Sequence, residues 1–302
     1  MRVEKTIKAY VPILLVMMFW GSMGIPSTYV LEEMNALTVL CFRSGIGAIV
    51  LLGAACLRHD TLMPVKGEGK LLIVLSFIGV VLCNYLYFFA VQNTSLTNVA
   101  VLYALGPIIT TILAFFLLKE KVRQSRVIGI ILAFGGVVIL ISKGHISELF
   151  SAGINIGDVA EMTSSFCLAV YTILSRKIRY TPANIVVFWL MFVSFICTFP
   201  IVIFLEGGMD VFISVRATVS LVYLGAICSG AGYLLQQKSI QRIGASASAA
   251  FLNGISPITV LTAAVILEEK ITPVQAGGIC IVFLGLFLNA KNKNLRSFLK
   301  KI

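Results

Sequence analysis

Charge is scarce in this chain. Only 12% of its 302 residues are Asp, Glu, Lys or Arg, against roughly 25% in soluble globular proteins. A water-facing surface cannot be built at that composition, so most of the surface must meet lipid. Histidine is scarcer still: His59 and His145 both fall between apolar runs. With no HExxH and no clustered His or carboxylates, neither a metal site nor a metal cofactor is expected. A Walker glycine loop is also missing, as is any Ser-His-Asp spacing, which excludes an ATP-driven machine and leaves no catalytic residue to name. No cofactor and no enzyme activity are expected. Cys-x-x-Cys spacing does not occur either. The seven cysteines, at 41, 56, 83, 167, 197, 228 and 280, all lie inside apolar runs and read as small packing residues, not as a disulfide framework.

What is abundant is apolar: 59% of the chain is hydrophobic. A helix needs about 20 residues to cross roughly 30 Å of hydrocarbon. Ten segments approximate this, at 10–30, 36–57, 70–91, 97–118, 126–142, 156–175, 184–205, 215–236, 246–267 and 273–290. They are too long and too uniformly apolar for barrel strands, and lipid obliges the backbone to satisfy itself internally. The expected fold is therefore an all-α integral membrane protein with ten transmembrane helices. The first run, 11–30, is long enough to span, with Arg2, Lys5 and Lys8 as its flank, so a cleavable signal peptide is not expected.

The net charge of +11 does not point to nucleic acid, because the basic residues sit in short segments between apolar runs without a basic-aromatic pattern. With the N-terminus inside, the inner segments 1–9, 58–70, 119–126, 176–183, 237–245 and 291–302 carry 20 Lys and Arg. The outer segments carry three, Lys143, Arg216 and Lys270. That bias places both termini in the cytoplasm.

The chain also repeats itself. Leu102 to Val122 and Leu252 to Ile271 share a Pro (Pro107, Pro257), an apolar stretch and a Glu-Lys end. The match continues into the next helix, setting Gly129 on Gly278 and Gly136 on Gly285, an offset of about 149–150 residues. Two units follow, 1–143 and 144–302. Five helices is an odd number, so the second unit begins from the opposite side and the repeat is inverted. No loop is large enough for a soluble catalytic domain.

Phe19-Trp20-Gly21-Ser22, the run from Ala36 to Arg43, and the duplicated Pro-to-Glu-Lys block with its glycine-rich partner together resemble the drug/metabolite transporter superfamily, in its ten-helix EamA branch. The resemblance covers nearly the whole chain. It implies an inverted five-plus-five repeat and a central cavity lined mainly by helices 1, 3, 4, 6, 8 and 9. Members export amino acids, metabolites, nucleosides or toxic organic compounds. The second unit departs from the pattern, with Phe166-Cys167-Leu168 where relatives often carry a Trp.

Polar groups inside spans are costly and should face a cavity. On that basis Trp20, Asn84, Tyr85, Tyr87, Tyr103, Tyr171, Tyr233, Gln236 and Asn253 are candidates for the cavity wall, with Gln236 and Gln237 at the membrane interface as the other reading. Arg43 enters a span; a structural pair or helix-end clamp is its expected role, and direct binding of a substrate carboxylate is the other reading. Asp158 or Glu161 is the expected partner, or one of them titrates during transport; if the sixth helix starts late, both are interfacial. Pro107 and Pro257 are candidate kinks, while Pro26 and Pro200 read as helix boundaries. The expected function is a secondary exporter of small organic metabolites, such as amino acids, working by alternating access in the plasma membrane. Its partners would be a small organic solute and membrane lipid, with no nucleic acid, and the chain a monomer or weak dimer. The alternative is a nucleoside or nucleotide-sugar exchanger of the same fold. A membrane enzyme or structural protein is the remote third.

Overall fold

A computed structural model describes residues 2–120, 122–143, 154–205, 214–266, 268 and 270–289. Lys121, Glu269, the expected unit boundary at 143/144 and the basic segment 291–302 thus fall at or beyond the edge of the described residues. Every regular element among them is helical. We number the rods in chain order. They are α1 (Ala9–Leu31), α2 (Ala36–Leu57), α3 (Gly69–Asn93), α4 (Asn98–Leu118), α5 (Gln124–Ser142), α6 (Ile156–Ser175), α7 (Ala183–Phe204), α8 (Val215–Ile243), α9 (Ala245–Ile266) and α10 (Pro273–Asn289). Eight are long and apolar enough to cross a membrane. The other two are α10, which is apolar but 17 residues long, and α6, which carries Asp158 and Glu161. Large apolar side chains such as Phe116 and Ile131 face outward, as a lipid-facing surface requires.

The two units repeat their irregularities as well as their helices. Both α3 and α8 contain a π-helical stretch, Phe77–Leu82 and Tyr223–Gly232. Both α4 and α9 are broken, between Tyr103 and Gly106 and between Leu252 and Ile255. Pro107 and Pro257 therefore do not kink a continuous helix. They stand in the first turn of the second piece, where the absent N–H would have lacked an intrahelical acceptor anyway. Pro26 likewise sits in a first turn, at the start of Gly24–Leu31. Pro200, expected at a boundary, lies inside its helix.

Small residues bring α5 and α10 into backbone contact. A Cβ on Gly129 would stand 2.6 Å from the Gly285 carbonyl oxygen, and one on Gly285 would stand 2.5 Å from that of Gly129. Gly136 and Gly278 oppose one another in the same way, at 3.0 and 2.9 Å. Since Gly129 matches Gly278 and Gly136 matches Gly285 in the repeat, each contact is the other's counterpart. Such reciprocity is what a two-fold relation between the units would produce.

The connections gather at two ends. At the end where α1 starts and α10 stops, the terminal end, Glu68 accepts from the backbone N–H groups of Arg179 (2.9 Å), Tyr180 (3.2 Å) and Thr181 (2.9 Å) and from the Thr181 hydroxyl (2.6 Å). Burial works against the Glu68 charge. The Thr181 hydroxyl and the three N–H groups outweigh it and hold the carboxyl below its ordinary pKa. Arg176 donates to the carbonyls of Ile240 (3.0 Å) and Gln241 (2.7 Å), and Arg126 lies 4.0 Å from Glu120. At the far end, Glu33 accepts from the Ser214 N–H and hydroxyl (2.7 and 2.6 Å) and Arg216 pairs with Glu32 at 3.1 Å.

Candidate functional site

A cavity of about 170 Å³ lies between the two units, in the half of the bundle nearer the far end. Met23 and Tyr87 come late in rods that finish there, and Arg43 and Tyr103 come early in rods that begin there. Its wall draws on α1, α2, α3, α4, α5, α6, α8 and α9. The resemblance implied six of these; α2 enters through Arg43 and α5 through Ile141.

Aromatic side chains make one side. Trp20 lies 5.3 Å from Tyr233, ring centroid to centroid, and Tyr233 lies 5.9 Å from Tyr171. The chain of rings is pinned by hydrogen bonds. Trp20 Nε1 donates to the Cys228 carbonyl (3.0 Å), Asn84 Nδ2 to the Tyr233 hydroxyl (2.8 Å), and that hydroxyl to the Gly79 carbonyl (3.1 Å). Both carbonyls belong to the π-helical stretches. A π turn widens the helix and misaligns its carbonyls, so some turn to other donors. The irregular backbone therefore holds the aromatic wall.

Arg43 is buried and lines the cavity. Its Nε donates to Ser229 Oγ at 2.8 Å, its guanidinium lies 5.4 Å from the Phe88 ring centroid, and one terminal nitrogen has no protein partner. The expected pairing with Asp158 or Glu161 is not formed. Asp158 instead builds a capping box with Asn155 at the first turn of α6 and accepts from Thr94 (2.7 Å) and Asn98 (3.1 Å). Glu161 is fully buried, accepts from Ser165 at 3.3 Å through one oxygen, and has no partner on the other. The late start of the sixth helix, which would have made both carboxylates interfacial, is not observed, because α6 begins at Ile156.

Of the nine expected wall residues, Trp20, Tyr87, Tyr103 and Tyr233 line the cavity. Asn84 and Tyr171 stand behind Tyr233 as supports. Tyr85 points away and lines an outer groove with Phe77 and Phe89. Gln236 and Asn253 are buried on the terminal side of the cavity, without lining it. Gln236 and Gln237 are both fully buried within the bundle, and α8 runs on past them to Ile243. Of Phe166-Cys167-Leu168, Leu168 lines the cavity and Phe166 faces outward. Sequence reasoning missed Ser164, Ser256 and Thr259, which supply hydroxyls to the wall, and Ser229, which anchors Arg43. Ser229 lies in the glycine-rich stretch 225–232, where the one signal was a hydroxyl among glycines. No group of three or more metal-ligating side chains occurs among the described residues.

The EamA-like transporter family model matches residues 7–142 and 155–290, one match in each half. The uncharacterized transporter YyaM of Bacillus subtilis is 26% identical, over 93% of both chains. An uncharacterized transporter of Clostridium kluyveri is 27% identical, covering 98% of this chain and 97% of its own length. One solved crystal structure superposes with a TM-score of 0.77 over 93% of this chain and 96% of that chain; at 15% identity the likeness is one of fold. With both halves matched over most of their length, the chain belongs to the EamA-like transporter family.

Proposed function

We propose that the chain exports a small amphipathic organic solute, an amino acid or a metabolite of similar size, by alternating access across the plasma membrane. In this reading all ten rods cross, the units 1–143 and 144–302 are oppositely oriented, both termini are cytoplasmic, and the chain works as a monomer or weak dimer in lipid. One observation carries it. The cavity is walled by both repeats yet lies toward one end of the bundle. A one-sided cavity between inverted repeats is what a carrier caught in one of its two states presents. At about 170 Å³ it is smaller than the roughly 300–1,000 Å³ pockets of drug-sized ligands, which favours a metabolite.

The chemistry narrows the class further. Tyr87, Tyr103, Tyr233 and Trp20 offer apolar faces, the hydroxyls of Ser164, Ser256 and Thr259 offer orientation, and the unpartnered Arg43 nitrogen offers an anion site. A solute with a carboxylate and an apolar body fits all three. An exchanger of nucleoside diphosphate-like solutes needs several cations for its phosphates, and among the described residues Arg43 is the only cationic one in the wall. The test is flux of an amino-acid and nucleoside panel into and out of liposomes holding the pure protein. Amino-acid flux without nucleoside flux supports the proposal. Nucleoside flux alone supports the exchanger, and no flux for any member defeats both.

A further inference from the structure

Several buried polar side chains lie on the terminal side of the cavity and take no part in its wall. Gln236 accepts from Ser248 of α9 at 3.4 Å, and Gln237 reaches the Ser175 carbonyl of α6 at 3.5 Å. The Gln236 amide nitrogen, the Gln237 amide oxygen, the Ser175 hydroxyl and both polar atoms of the Asn253 side chain have no protein partner. All four side chains are at most 1% exposed. Buried polar groups are nearly always paired, and leaving them unpaired is costly. Their concentration here calls for a state in which they are satisfied.

The duplication identifies that state. Asn253 stands four residues before Pro257, as Tyr103 stands four before Pro107. At the offset of about 149–150 residues, Tyr87 corresponds to Gln236 or Gln237. Tyr87 and Tyr103 are cavity wall, and their counterparts are the unpaired amides. In an inverted repeat, the counterparts of the residues that form one mouth form the other. We propose that Gln236, Gln237 and Asn253, with Ser175, form the wall of a second half of the solute path, which opens to the terminal side. There the amides would take up the polar groups of the solute, its carboxylate and its amine or amide. The proposal rests on the alternating-access reading above. It makes the two halves of the path chemically unlike, aromatic and cationic toward the far end and amide-lined toward the terminal end.

The test uses the full chain in liposomes. Asn253→Cys and Gln236→Cys are compared with Ser239→Cys, a fully buried position one turn on whose hydroxyl bonds the Leu235 carbonyl at 2.8 Å. A sulfonated, membrane-impermeant maleimide is the probe, and peptide mass spectrometry locates each adduct, so the native cysteines stay. Asn253→Cys and Gln236→Cys are expected to react several-fold faster than Ser239→Cys. If Asn253→Cys does not fold, Gln236→Cys carries the comparison. A further variant, Asn253→Leu, removes the unpaired atoms at similar volume. Its Tm should not fall, while flux of whichever panel solute the wild type carries should drop. Labelling no faster than at Ser239→Cys, or undiminished Asn253→Leu flux, in a protein whose wild type transports, overturns the inference. An absence of flux in the wild type defeats instead the transport reading beneath it.

Discussion

The seam between α5 and α10 gives a prediction whose sign changes along one helix. On α10, a Cβ at position 285 would meet the Gly129 carbonyl oxygen at 2.5 Å, the Ala133 nitrogen at 2.6 Å and the Ala133 Cβ at 2.9 Å. Two of these are backbone atoms, so no side chain can swing aside and the helices must part. Overpacking of this kind costs about 1–3 kcal/mol. Alanine gains back roughly 0.5–1 kcal/mol over glycine in a helix interior, leaving Gly285→Ala destabilised by up to about 2.5 kcal/mol and by about 1 kcal/mol at the centre of the two ranges. Gly277, two turns away, has nothing within 4 Å of its would-be Cβ. Gly277→Ala therefore keeps only the gain of roughly 0.5–1 kcal/mol. Thermal unfolding in one detergent, followed by circular dichroism, should show Tm lowered for Gly285→Ala and level or raised for Gly277→Ala. Because Gly129 is the reciprocal partner, Gly129→Ala should behave like Gly285→Ala. Equal shifts for Gly285→Ala and Gly277→Ala would refute the close backbone approach and, with it, the two-fold contact between the units.

Two further outcomes follow from the site and the terminal end. Arg43→Gln loses a hydrogen bond to a charged group, worth about 1.5–3 kcal/mol. It also relieves the span of a charge costing about 2.5–3.5 kcal/mol on insertion scales. Stability should thus change little while flux of an anionic or zwitterionic solute falls by about tenfold or more, the effect of about 1.4 kcal/mol of lost binding; unchanged flux would remove Arg43 from the solute site. Glu68→Gln should lower Tm at neutral pH. A carboxyl held below its ordinary value stabilises the fold above the unfolded pKa, about 4.3, and that contribution is lost as pH falls through the folded value. The gap in Tm between wild type and Glu68→Gln should accordingly be full near neutrality and close below about pH 4; a gap independent of pH would show that the Thr181 contacts do not depend on the charge.

Much of this was legible in the sequence because lipid leaves so few options. Ends such as Ala36–Leu57 and Ile156–Ser175 coincide with the expected segments, since a run of apolar residues in hydrocarbon has to be helix. The duplication was legible because Pro107, Pro257 and the paired glycines survive in both units. The facing of single residues was less so. Tyr85 and Tyr87 look alike as intramembrane tyrosines, yet one faces the outer groove and the other the cavity. Both follow a π-helical stretch, and a π turn advances the helix by an extra residue, which shifts the phase of all that comes after. Gln236 and Gln237 follow the longer stretch of α8, and Lys238 directly after them did not mark the helix end, which lies at Ile243. Arg43 was recognisable as a charge needing a partner, but the partner is a serine hydroxyl in a π-helical turn and not a carboxylate. Long-range pairing of that kind has no local signature.

The central claim is that solute passes through the cavity between the repeats. The most direct measurement compares Tyr87→Ala with Tyr85→Ala, neighbours on one helix of which only Tyr87 lines the cavity. Each is reconstituted at matched density and assayed for flux of the solute the wild type carries. Flux reduced by Tyr87→Ala and preserved by Tyr85→Ala is the expected result. Equal flux in the two variants, or a greater loss for Tyr85→Ala, would contradict transport through this cavity.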